Sequence, residues 1–345
     1  MTRTTIAFDG SVLADGPLTG VARAFLSTLR AFTAGDERCV LLAPSAAAGL
    51  DALPIGLEVV AAPRSLLAKQ FAWPRLLRRL NADLLHVPVA ALPLRLPCPA
   101  VITVHDLPWR ARPRLPRGDT PQLRHRLALQ ASARVARVIL VPSAATASDL
   151  ADELPAHVAT RVHVVPHGVD PVAARAGSEP SSGLLVLGDD RPRKNHARIA
   201  AAHQRAQQLD ARVPTLRFVG PPRAFVTEAE KDALLRRATG LLQMSLHEGF
   251  GLPVLEAMAR GVPVLCSNFG ALAEVAGGAA LLADPLDVEA MARAMVALCT
   301  DQPRRADLCA RGLQRAATFT TGAAAAGWRR AHAVALRRDL AVGLP

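Results

Sequence analysis

The chain has 345 residues and a formal net charge of +12, from 41 Lys+Arg against 29 Asp+Glu. Its 50% hydrophobic content is enough to bury a core and excludes a disordered chain. Five scattered cysteines without metal-ligand spacing exclude a disulfide scaffold and read as reduced thiols of a cytosolic protein.

No apolar run approaches the roughly 20 residues of a membrane helix. The start, Met1–Asp9, lacks the apolar stretch of a signal peptide. The charge is an arginine bias more than a nucleic-acid footprint: Lys69, Lys194 and Lys231 are the only lysines. With aromatics at 3% there are few platforms for base stacking, and no groove-reading motif occurs. Nucleic acid is therefore not an expected partner.

In chain order, apolar runs at 4–8, 39–43, 57–61, 83–87, 100–104, 137–141 and 161–165 predict strands. Helical patterns lie between them at 21–32, 76–81, 122–136 and 144–153. Residues 170–183 are small, polar and rich in Pro, Gly and Ser, the composition of a linker. A second series follows, with strands at 184–187, 215–219, 240–244, 262–266 and 280–282. Its helices fall at 195–208, 227–238, 253–260, 288–299 and 304–337, the last broken near Gly322. This alternation is the mark of parallel sheets. It predicts an α/β chain of two doubly wound, Rossmann-like domains facing across a cleft. The expected boundaries are 1–170 for the first domain, 171–183 for the linker and 184–320 for the second domain. A C-terminal helical segment, 321–345, would pack back on the first domain. Ligands of such sheets bind beyond the strand C-terminal ends.

Four segments fall at such ends. The first is Ser245–Glu256, where a strand leads through Gly249, Phe250 and Gly251 to Leu252 and Pro253 at a helix start. A helix N-terminus presents free N–H groups that suit a phosphate, and glycines allow close approach. Glu248 and Glu256 bracket this turn. Both suit sugar or ribose hydroxyls, or they simply complement the helix dipole. The second segment, Gly188–His196, brings Arg193 and Lys194 to a strand-to-helix turn, where they either meet phosphate oxygens or form a solvated basic loop. The third is Thr103–Pro108, with His105 as a cleft or structural hydrogen-bonder. The fourth is Asp15–Gly20, where Gly16 and Gly20 fold over a ligand or make a turn.

In this order the segments resemble the retaining glycosyltransferases of family 4, which have the GT-B fold. The long stretch His247–Pro285 carries the family's Glu-x7-Glu element as Glu248 and Glu256. PRKN at 192–195, HDLP at 105–108, VPSAATASDL at 141–150 and VVPHGVD at 164–170 add to it, so the resemblance spans essentially the whole chain. It implies sugar transfer from a nucleotide-diphosphate donor to an acceptor hydroxyl with retained anomeric configuration. No cofactor and no metal is implied, because Lys194, Arg193 and the Gly249–Leu252 turn, including Phe250 and Gly251, would hold the diphosphate. By the same resemblance Glu256 holds ribose hydroxyls and Glu248 the transferred sugar. His105 reaches that sugar from the first domain, and Gly20 lies in the loop over the donor. The style of the motifs is nearest to mannosyl- or rhamnosyltransferases of bacterial polysaccharide assembly, with GDP-mannose the favoured donor.

Two departures stand out. Asp189 is an acid near the expected diphosphate, where the family often has Arg or Thr, unless it pairs with Arg191 or Arg193. About 25 residues, a strand and a helix, are missing between PRKN and SLHEGFG, which predicts a second sheet one strand short of six. Two alternatives stay open: a nucleotide-sugar epimerase on the same fold, or, motivated by these departures, a nucleotide-sugar-binding protein with impaired catalysis. Arg64–Leu80 and Arg110–Arg126 mix arginines with apolar residues, as do segments that lie on anionic membranes. A solvated face over a core helix reads equally well, and Pro74 argues against one long helix at 64–80. The expected setting is cytoplasmic, with peripheral attachment at the inner membrane face and a glycan or lipid-linked acceptor.

Overall fold

A computed structural model describes residues 3–13, 18–44, 53–54, 56–111, 122–170, 172, 183–223 and 225–337. The turn at Gly16, the arginines at 112, 114 and 117, most of the linker and the last eight residues lie outside it. In the first half, β1 (Thr5–Asp9), α1 (Gly20–Phe32), β2 (Arg38–Ala43), β3 (Glu58–Ala61), α2 (Leu66–Arg79) and β4 (Leu84–Val87) come first. They are followed by β5 (Ala100–Thr103), α3 (Gln122–Val135), β6 (Val138–Val141), α4 (Ala144–Ala151), α5 (Ala156–Ala159) and β7 (Val162–Val164). These strands form one seven-stranded parallel sheet in the order β3-β2-β1-β4-β5-β6-β7.

The second half runs β8 (Leu184–Leu187), α6 (His196–Leu209), β9 (Leu216–Val219), α7 (Glu228–Arg237), β10 (Gly240–Gln243) and α8 (Leu252–Met258). It continues with β11 (Val264–Ser267), α9 (Gly270–Ala276), β12 (Leu281–Ala283), α10 (Val288–Thr300), α11 (Gln302–Ala317) and α12 (Thr321–Leu336). Its sheet is also parallel, in the order β12-β11-β10-β8-β9. Five strands are thus described there, the number expected from the shortened 196–239 stretch. Central strands such as β1, β4 and β10 are buried on both faces, which is why they read as unbroken apolar runs. The edges β3 and β7 are largely exposed or half-buried.

The strand order reverses between β1 and β4 in the first sheet and between β8 and β10 in the second. These switch points open crevices beyond the strand C-terminal ends, where the candidate segments lie.

Three local expectations change. A single helix runs through Pro74 from Leu66 to Arg79. Lys69, Trp73 and Leu77, at helical spacing, are buried on it, and this burial offsets the roughly 3 kcal/mol that an interior proline costs. The break expected near Gly322 in segment 304–337 falls slightly earlier, at 318–320, where the Thr320 hydroxyl accepts from Ala323 N–H and starts α12. The short helix α9, flanked by Gly270 and Gly277, has too few residues to announce itself by periodicity.

The chain passes between its two halves twice at one place. Val169 N–H donates to Phe319 O (2.8 Å), and the Thr321 hydroxyl donates to Asp170 (2.7 Å). A Cβ at Gly168 would lie 2.3 Å from the Thr320 backbone, so only glycine fits this crossing. From there α12 packs against α1, and Trp328 closes an aromatic cluster with Phe8, Phe25 and Phe32.

Candidate active site

The second-domain half of the site begins at Gly188, whose φ of +140° suits glycine. After the tight turn Pro192–Lys194, Asn195 adopts a left-handed conformation and donates its amide to Met244 O (3.0 Å) and Pro285 O (2.8 Å). This pins the basic turn to the end of β10. There Arg193 Nη1 lies 2.9 Å from Glu248 Oε2, and Lys194 Nζ lies 2.5 Å from Glu248 Oε1. The same Oε1 accepts from the Ser245 hydroxyl (2.7 Å) and from the Gln243 amide (3.0 Å). Burial opposes ionisation of Glu248, but Lys194 and then Arg193 outweigh it and hold the carboxyl well below its ordinary range. Glu248 is therefore a largely shielded anion whose oxygens are engaged by protein donors.

The Gly249–Leu252 loop is clamped to the other domain. Gly249 O accepts from the Ser143 hydroxyl (2.7 Å) and the Thr146 hydroxyl (3.1 Å) at the start of α4. A Cβ at Gly249 would sit 1.6 Å from His105 O, so the loop and the His105 segment touch backbone to backbone. Glu274 on α9 accepts from the backbone N–H groups of Ala144 and Ala145, a carboxylate from one domain capping a helix of the other. Phe250 is buried edge-on against His167 and Phe319, Gly251 takes a φ of +118°, and Leu252 opens the two-turn helix α8.

Glu256, on α8, pairs with Lys231 of α7 (2.8 Å), which also meets Glu228 (2.7 Å). Lys231 thus stands beside a candidate site residue, although nothing in its own neighbourhood of the sequence marks it as part of a cleft. It sits on the helix launched by the Thr227/Glu230 capping box, and the two lysine contacts span three and 25 residues.

In the first-domain half, His105 follows β5. Its Nε2 lies 2.8 Å from Pro88 O and its Nδ1 3.1 Å from His167 Nε2. A carbonyl only accepts, so His105 carries its proton on Nε2. Its Nδ1 then accepts from His167 Nε2–H, which leaves His167 Nδ1 as the acceptor end of the chain. Burial lowers both imidazole pKa values, that of His167 to about 3, which keeps the pair neutral. His105, the residue singled out by sequence, has both ring nitrogens engaged by the protein. Gly20 is the first residue of α1, with open space where a Cβ would be.

Comparison with known proteins places this arrangement. Residues 18–172 match the model described as "Glycosyltransferase Family 4", and residues 159–301 match "Glycosyl transferases group 1". The chain belongs to glycosyltransferase family 4. It is 41% identical over 105 residues to the O-antigen chain mannosyltransferase B of Escherichia coli, covering 30% of this chain and 26% of that protein. It is 33% identical over 198 residues to the MMP alpha-(1->4)-mannosyltransferase of Mycolicibacterium hassiacum, covering 50% of this chain and 48% of that protein. The chain thus spans about a quarter and about half of these two relatives. Anabaena HepE, solved in complex with UDP and glucose, superposes with a TM-score of 0.72 at 16% identity, over 96% of this chain and 100% of that one. That likeness shows the fold, which is GT-B.

Asp189 of this family 4 chain pairs with Arg191, whose Nε lies 2.9 Å from it. Partial burial alone would raise the Asp189 pKa, but the Arg191 hydrogen bond and the nearby cations hold it below its ordinary value. Its direct partner is Arg191, with Arg193 and Lys194 acting on it at longer range. Gln243, Ser245, Ser143, Thr146, Glu274, His167 and Lys231 all shape this family 4 cleft without having stood out as candidates. Ser143, Thr146, His167 and Glu274 lay within stretches that matched the family, Ser245 opens the Ser245–Glu256 segment, and Gln243 and Lys231 carry no local signature.

Proposed function

We propose that this chain transfers a sugar, with mannose from GDP-mannose favoured, from a nucleotide-diphosphate donor to a hydroxyl of a glycan or lipid-linked acceptor. The bond from the anomeric carbon to the diphosphate oxygen breaks, and a bond to the acceptor oxygen forms on the same face. The acceptor proton passes to the leaving diphosphate. Lys194 and Arg193 stabilise the charge that develops on that diphosphate, so the reaction proceeds without a metal or other cofactor. Glu256 takes ribose hydroxyls. Glu248, once a diphosphate draws the two cations away, takes hydroxyls of the sugar.

The observation that carries this reading is the cluster of Arg193, Lys194 and Glu248 at the β8/β10 switch point, with Glu256 on the adjoining helix. The mannosyltransferase names of the relatives support the choice of sugar. The protein works at the inner face of an anionic membrane. Leu66, Leu67 and Phe71 are exposed on α2, with exposed Leu94 beside it, and Arg64, Arg75, Arg78, Arg79 and Arg95 surround them. Residues 62–80 contain no acid, so this face suits anionic lipid. Arg110 and Arg126 contribute less, because both pair with acids at the end of α4. Among the described residues no helix is long and apolar enough to cross a membrane.

A thermal-shift screen across UDP-, GDP-, ADP- and dTDP-sugars tests the reading, followed by turnover of the best stabiliser with glycan acceptors. GDP-mannose should give the largest shift. Stabilisation by no nucleotide sugar would overturn the donor assignment. Stabilisation without transfer would favour an impaired binding protein, and an isomeric nucleotide sugar formed without acceptor would favour an epimerase.

A further inference from the structure

Arg23 lies on the first turn of α1, in the first domain, and its Nη1 meets Glu228 of the second domain at 3.1 Å. Glu228 in turn holds Lys231, and Lys231 holds Glu256. On its own side Arg23 Nη1 also donates to Leu18 O (3.3 Å), a carbonyl of the loop that leads into α1. One line of contacts therefore runs from that loop, across the cleft, to the carboxylate expected to hold a ribose. Its inner members are well shielded, with Lys231 9% and Glu256 17% exposed. The Nε–H of Arg23 is buried and meets no acceptor among the described residues, so the bridge leaves one donor of the guanidinium unused.

The charges on this line balance only when the bridge is made. Glu228 and Glu256 contribute two negative charges, and Lys231 and Arg23 two positive ones. Without Arg23 the second domain presents a net negative charge beside the place where an anionic nucleotide must lie. The bridging pair itself is exposed, Arg23 38% and Glu228 61%, so the effect of this charge on the shielded inner members is screened by salt and acts most at low ionic strength.

We infer that Arg23 is a positioning residue for donor binding: by clasping Glu228 across the cleft it neutralises the Glu228–Lys231–Glu256 group, while its bond to Leu18 O anchors the guanidinium on the first-domain side. The inference rests on the donor-site reading above and adds a first-domain residue that governs the charge of the second-domain pocket. Neither Glu228 nor Arg23 needs to touch the reacting atoms.

The test is calorimetric titration of the full chain with GDP and UDP, for the wild type, Arg23→Ala, Glu228→Gln and the double variant. Arg23→Ala should weaken nucleoside-diphosphate binding roughly three- to tenfold at low salt, with the gap closing as salt rises. Glu228→Gln in the Arg23→Ala background restores the charge balance and should recover most of the loss. A merely structural arginine would show no such recovery. Arg23→Gln repeats the test with a side chain that keeps a polar contact, and should fall with the alanine variant. In turnover the Arg23 variants should raise the donor KM and leave kcat nearly unchanged. Binding by Arg23→Ala and Arg23→Gln within twofold of the wild type, or no recovery in the double variant, would overturn the inference. If the wild type itself binds neither nucleotide, the donor-site reading fails first and this inference with it, and the wild-type titration tells the two failures apart.

Discussion

The Lys194 ammonium lies 2.5 Å from Oε1 of Glu248, so the cation expected to hold a phosphate is the partner of the carboxylate expected to hold a sugar. Arg193 closes the group from the other carboxylate oxygen. A diphosphate entering this crevice, as proposed, would compete with Glu248 for both cations. On the proposed donor-site reading, Glu248 would be released toward the sugar only when the diphosphate is present, which would link donor binding to assembly of the sugar site.

Glu248→Gln separates these roles. The amide keeps the size of the side chain and removes the charge that competes for Lys194 and Arg193. GDP affinity measured by calorimetry should stay within about twofold of the wild type or rise, while transfer falls by about 100-fold or more. The melting temperature should drop, because the buried Arg193 and the largely shielded Lys194 lose their counter-charge. A loss of GDP affinity greater than about tenfold would contradict the competition.

Acid should weaken the fold through buried neutral histidines. His167 and His332 each have a pKa lowered to about 3, by burial first, with His105 adding to the shift at His167 and Arg329 at His332. His332 Nε2 lies 3.0 Å from His86 Nδ1, and the His86 pKa is also lowered. The folded-state values lie below the unfolded value near 6.5, so this stability is complete above that pH and is lost as the pH falls toward 3. Urea unfolding at pH 7, 6 and 5 should show a loss approaching about 1.4 kcal/mol per pH unit for each such group. His167→Gln, which keeps a donor toward His105, should make the slope shallower. A pH-independent stability across this range would refute the neutral assignment.

Domain contact should be sensitive to one methyl group. Gly249→Ala puts a Cβ where the His105 carbonyl oxygen lies, and neither backbone can yield cheaply. We expect a cleft held open, seen as a larger radius of gyration in X-ray scattering, and a fall in transfer of at least about tenfold. Each domain should keep its own fold, with circular dichroism nearly unchanged. Unaltered scattering and activity would mean that the contact is dispensable.

Much of the fold was legible because parallel strands covered on both faces read as largely apolar runs, as the central strands β1, β5, β6, β8 and β11 do, while the more exposed edges β3, β7 and β9 follow from the same alternation of strand and helix. Lys194, Arg193, Glu248 and Glu256 were legible for another reason. The first three sit in short turns where glycine, proline and charge recur at fixed spacing, and Glu256 follows on α8 eight residues after Glu248. Lys231 and His167 were not, since their significance comes from partners 25 and 62 residues away in the chain. The α2 helix defied its own Pro74 because the burial of Trp73 and Leu77 is a tertiary effect that local propensity does not contain.

The α2 face should bind anionic vesicles and release them in salt. Co-sedimentation with phosphatidylglycerol-containing vesicles, and not with pure phosphatidylcholine, is the expected result at low ionic strength. Leu67→Glu with Phe71→Glu should abolish it, and Arg75→Glu with Arg78→Glu should weaken it several-fold. Equal sedimentation of all variants would remove this surface from consideration.

The central claim, that Lys194 holds the donor diphosphate, is tested most directly by titrating GDP into the wild type and into Lys194→Ala. Glu248 keeps Arg193, Ser245 and Gln243 as partners in the variant, so the fold should persist. A loss of GDP affinity of tenfold or more, about 1.4 kcal/mol, with an intact fold is the predicted result. Equal affinity in the two proteins would contradict it.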